Sequence, residues 1–72
     1  MKFNTMRLTE TPEEAYTTRV RHSWDAVYNS YGFETFHPVE AKGVLMAVWG
    51  IRRDEAERIL QIFLDRGYAI AP

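Results

Sequence analysis

Apolar side chains at Tyr16, Val20, Trp24, Val27 and Tyr31 recur at spacings of four, four, three and four, which is the repeat of one face of an α-helix. Ahead of them, Thr11-Pro12-Glu13-Glu14 supplies a capping hydroxyl, a proline for the first helical position and a glutamate three residues past the cap. Gly32 stops the run. The pattern predicts a helix over residues 12–31. A second periodic stretch, Ala41, Val44, Leu45 and Val48, follows Pro38 and carries Glu40 in its first turn, predicting a helix over residues 38–49. Gly43 inside it costs about 1 kcal/mol relative to alanine, so close passage of another backbone is expected there. A third stripe, Ala56, Ile59, Leu60 and Phe63, predicts a helix over residues 53–66. Asp54 and Glu55 open it, Asp54 and Arg58 are placed to pair at i,i+4, and Gly67 ends it with Tyr68 folding back on Phe63.

Two short segments alternate instead. Residues 33–36 (Phe-Glu-Thr-Phe) read as an edge strand or an extended connector, and residues 68–71 (Tyr-Ala-Ile-Ala) as a second short strand. The two can pair antiparallel. Residues 1–10 form an arm, either a short strand or partly disordered, in which Phe3, Met6 and Leu8 can pack back on the body. The expectation is a mostly α fold with a short two-stranded antiparallel sheet. Its order is helix, strand, helix, helix, strand, in a single domain over residues 11–72.

The junction of the last two helices, Gly50-Ile51-Arg52-Arg53-Asp54-Glu55-Ala56-Glu57-Arg58-Ile59-Leu60, has the layout of a helix-turn-helix. Gly50 can take the positive φ of a tight turn, Ile51 can drop between the helices, and Ala56 is small where they cross. The pattern, together with Leu-Asp-Arg-Gly-Tyr-Ala-Ile at residues 64–70, resembles the winged-helix branch of the helix-turn-helix DNA-binding family over residues 12–71. The resemblance implies that the third helix enters a major groove. The chain departs from the family pattern in three places. No wing hairpin follows residue 71, Met46 stands where a small residue is usual, and Arg52 replaces the common Ser or Thr cap.

Composition narrows what such a domain can do. Cysteine is absent, which removes disulfides and thiolate chemistry. No apolar run reaches the roughly 18–20 residues of a membrane span, and the polar start is not a signal peptide, so an intracellular, cytoplasmic chain without a membrane partner is expected. The net charge of −1 argues against a non-specific coat for nucleic acid and leaves a local basic patch or a protein-binding module. His22 and His37 have no companion ligand, the carboxylates sit at helix ends or on solvated faces, and the four glycines are scattered. No catalytic, metal, cofactor or small-molecule site is expected.

Candidate DNA contacts are Arg52 and Arg53 for phosphate or guanine, Arg58 and Gln61 for base edges, and Lys2 and Arg7 on the arm. Against them stands a plain solvated face, since residues 52–66 hold four arginines and four acids. The second reading is a protein-interaction module: a homodimer, or an adaptor or inhibitor of a larger assembly. Its candidate surface is Arg19, Arg21, Tyr28 and Trp49, because Trp and Arg tend to carry such interfaces.

Overall fold

The computed structural model describes residues 5–12 and 18–71. In chain order its elements are β1 (Arg7–Leu8), α1 (Thr18–Tyr31), α2 (Pro38–Trp49), α3 (Arg53–Arg66) and β2 (Ala69–Ile70). The fold is mostly helical with a short two-stranded antiparallel sheet, as the periodicities require. The capping box Thr11-Pro12-Glu13-Glu14 and Tyr16 fall largely outside the described residues, so α1 is followed from Thr18.

The C-terminal end of α3 obeys local rules. Gly67 takes a left-handed φ of 78°, its N–H donates to Leu64 O, and the N–H of Tyr68 reaches Phe63 O at 2.8 Å. These two bonds satisfy carbonyls that the end of a helix leaves open. The carbonyl of Tyr68 then accepts from Thr9 N at 2.9 Å and from the Trp24 indole at 3.1 Å. The chain leaving α3 is thereby fastened to both the arm and α1.

The sheet is built differently from the sequence expectation. β1 comes from the arm and pairs with β2 in the register Arg7 to Ile70 and Leu8 to Ala69. Residues 33–36 do not form a strand that pairs with β2. Of these four residues only Phe36 pairs, in a single antiparallel bridge to Met6 with reciprocal backbone bonds of 2.9 and 2.8 Å. Burial explains the exchange. Met6 and Leu8 lie on one face of the extended arm and are 1% and 0% exposed, so pairing the arm with β2 delivers two large side chains to the core at once. Phe33, by contrast, turns out after Gly32 and is half exposed.

The core joins Met6 and Leu8 to Val20, Trp24 and Val27 of α1, Ala41 and Leu45 of α2, and Ala56, Ile59, Leu60 and Phe63 of α3. The α3 stripe is buried as the periodicity requires. On α2 the inward face is rotated from the expected one. Val48 is 53% exposed and Val44 only half-buried, while Trp49 is packed against the core. The broad indole packs toward α1, where its N–H reaches Ser23. Gly43 also differs from expectation. It is exposed, and a Cβ built on it would meet nothing within 4 Å.

α2 ends in the tight left-handed turn expected at Gly50. Gly50 sits at φ 64°, ψ 33°, and its N–H donates to Met46 O at 2.8 Å. Ile51 packs against the core behind it. A Cβ at Gly50 would touch nothing within 4 Å, so replacing it tests backbone conformation alone. Gly50→Ala is expected to lower stability by about 1–2 kcal/mol, the cost of a left-handed L-residue, read as a lower urea midpoint with an unchanged slope.

Candidate nucleic-acid interface

The start of α3 is where charge is arranged most deliberately. Arg52 is the N-cap residue, in extended conformation with no side-chain cap bond, and Asp54 and Glu55 occupy the first turn. Two of the helix's acids turn to neighbouring helices. Glu55 meets Arg19 of α1 at 3.5 Å, and Glu57 meets Lys42 of α2 at 3.0 Å. Partly exposed pairs of this kind contribute at most about 1 kcal/mol each. Their consequence is electrostatic: the carboxylates that would repel phosphate already have cations against them.

Arg52, Arg53 and Arg58 are exposed and have no ion-pair partner among the described residues. The expected Asp54–Arg58 pair is not formed. Both side chains stand in solvent, where an i,i+4 pair is worth only a few tenths of a kcal/mol. With Glu55 and Glu57 neutralised, the first two turns present three arginines against Asp54 alone, a local excess of two positive charges. Further along, the Gln61 amide donates to Asp65 at 2.9 Å. That bond holds Gln61 toward the C-terminal end of α3 and beside an acid.

The remaining sequence candidates are dispersed. Arg7 is half-buried on β1 opposite Ile70, and Lys2 lies outside the described residues. Arg53 lines a groove of about 200 Å³ with Val39, Lys42, Gly43 and Met46, smaller than the ~300–1,000 Å³ of small-molecule sites.

Arg19, Arg21, Tyr28 and Trp49 do not form one surface. The Arg19 guanidinium lies 4.5 Å from the Trp49 ring centroid, and His22 stacks on the same ring at 6.4 Å. The Trp49 indole donates to Ser23 Oγ at 2.7 Å. These residues form a partly exposed junction that links α1 and α2 and, through Arg19 and Glu55, the start of α3. Arg21 reaches the other way, to the carbonyl of Pro12 at 3.4 Å. Tyr28 stacks on Trp24 at 5.3 Å and meets Phe33 edge-on at 5.1 Å.

Ser23 is fully buried, so its bond to Trp49 can be tested directly. Trp49→Phe is expected to cost about 1–3 kcal/mol, the range for leaving a buried polar group without its partner. Adding Ser23→Ala to that variant should recover part of the loss in urea unfolding, because the stranded hydroxyl is gone.

Sequence reading missed Lys42 as a neutraliser of the α3 face and Phe33 as Tyr28's partner. Lys42 and Glu57 are fifteen residues apart across the turn, a relation visible only once two helices cross. Phe33 was absorbed into an expected strand.

The chain matches no protein-family model, no curated protein and no solved structure. Among the described residues no helix is long and apolar enough to cross a membrane, and no group of three His, Cys, Asp or Glu side chains is placed to hold a metal ion.

Proposed function

We propose that this chain is a small helix-turn-helix domain that meets duplex DNA with the first two turns of α3. The observation that carries this reading is the charge arrangement there. Arg19 and Lys42 neutralise Glu55 and Glu57, leaving Arg52, Arg53 and Arg58 unpaired among the described residues beside a single acid. Such cations anchor phosphates or read guanine edges. Gly50 supplies the turn that sets α3 against α2. Contact is confined to the start of the helix, because Asp65 and its bond to Gln61 keep the C-terminal half unsuited to phosphate. Regulation of transcription or replication is the role that such a domain serves.

A second reading has its own observation. Tyr28 and Phe33 form an aromatic pair that is 40% and 50% exposed, and aromatic residues are enriched at protein interfaces. On this reading the same fold is a protein-interaction module.

Amide chemical-shift mapping with a short mixed-sequence duplex separates the two. DNA contact predicts shifts concentrated at residues 52–58. Shifts that are absent there at low salt would retire the first reading and turn attention to Tyr28 and Phe33.

A further inference from the structure

The outer face of α2 carries a property that the monomer does not explain. Val39, Gly43 and Ala47 follow one another at helical spacing on the side away from buried Ala41 and Leu45, and all three are exposed, Val39 to 74%. A helix that is apolar around nearly its whole circumference belongs in an interior. Gly43, at the centre of this face, weakens the helix relative to alanine, yet among the described residues nothing beyond its own stretch of helix comes within 4 Å of where its Cβ would be. No described neighbour requires a glycine there.

The flanks indicate what covers it. On the α3 side the face is bordered by Arg53, which shares a groove with Val39, Gly43 and Met46. On the α1 side it is bordered by exposed Glu40, which adds to the effect of burial in holding the Tyr31 hydroxyl above its usual 10.0. Lys42 is already engaged by Glu57. One apolar stripe therefore runs between an acid on one flank and a base on the other. Such a surface complements itself, because a two-fold axis along the helices sets each flank against the opposite flank of the second copy.

We propose that α2 is the surface through which two copies of this chain associate. The two helices run side by side with Gly43 against Gly43 and Ala47 against Ala47, and Glu40 of each faces Arg53 of the other. Small residues at the centre let the helix backbones approach closely. This inference does not require DNA binding, and because Arg53 is also offered to DNA above, association and DNA contact compete at that side chain. A single helix face is smaller than the roughly 800 Å² per partner of a standard interface, so the association is weak and reversible.

Sedimentation equilibrium of the full chain, from about 10 μM to about 500 μM, reads the dissociation constant in the range that a small interface supports. The chain is expected to move from monomer to dimer across that range. Ala47→Glu should raise the dissociation constant more than tenfold while its circular dichroism and melting in dilute solution stay unchanged. Gly43→Ala should raise the melting temperature of the dilute monomer and yet weaken the dimer, a combination that a purely structural glycine does not give. Glu40→Arg should weaken association, and adding Arg53→Glu should restore it. A chain that stays monomeric throughout overturns the proposal. So does association that is indifferent to Ala47→Glu, or a charge exchange that fails to restore it.

Discussion

Leu8→Ala is expected to destabilise the protein by about 2–5 kcal/mol, the range for removing a large buried aliphatic side chain. Leu8 belongs to a strand of two residues near the start of the chain, where an ordinary arm would tolerate any substitution. Here it is fully buried, its neighbour Met6 is 1% exposed, and both belong to the same core as Phe63 and Leu45. A domain of this size holds roughly 4–11 kcal/mol in total, at about 0.05–0.15 kcal/mol per residue. One methyl-rich side chain in the arm thus accounts for a large share of what keeps the three helices together. Urea unfolding followed by tryptophan fluorescence measures the loss. Arg7→Ala is the matched control: its side chain is only half-buried, and a change within about 0.5 kcal/mol is expected of it. A loss at Leu8 no larger than that at Arg7 would mean that the buried arm side chain contributes little to stability.

The second large effect concerns binding. Replacing Arg52 and Arg53 together by alanine is expected to reduce affinity for duplex DNA about 30-fold at about 0.15 M salt, since each phosphate contact contributes about −0.9 to the slope of log affinity against log salt. The fold should be unaffected, because both side chains are exposed and neither has an ion-pair partner among the described residues. The dependence of affinity on salt should also become shallower by about two in the log–log slope, as two phosphate contacts disappear. A folded variant that binds DNA unchanged would remove these arginines from the interface, and one that unfolds would contradict their exposed, unpaired setting.

Much of the fold could be read from the residues, and the reasons for success and failure are local. The α3 stripe Ala56, Ile59, Leu60 and Phe63 was legible because amphipathic periodicity depends on one helix alone, and Gly67 and Tyr68 because a cap is decided by neighbours in sequence. The sheet was not legible in detail. Residues 33–36 and the arm both alternate, and only the three-dimensional core decides which of them supplies the partner of β2. The rotation of α2 was hidden for a similar reason. Every candidate inward residue on that helix is apolar, so periodicity cannot choose between Val48 and Trp49, and the packing beside Ser23 does. At the candidate interface, the arginines were visible but their electrostatic setting was not. A count of charges along residues 52–66 comes to zero. Lys42 and Arg19, on other helices, cancel two of the acids and leave the start of α3 positive.

That positive start is the centre of the functional account, and fluorescence anisotropy of a labelled mixed-sequence duplex tests it most directly. Three phosphate contacts correspond to a log–log salt slope of about −2.7, so affinity should fall roughly 40-fold between about 50 and 200 mM salt. Binding that is measurable at low salt and fades on that slope is the predicted result. No binding at low salt, or binding indifferent to salt, would contradict it.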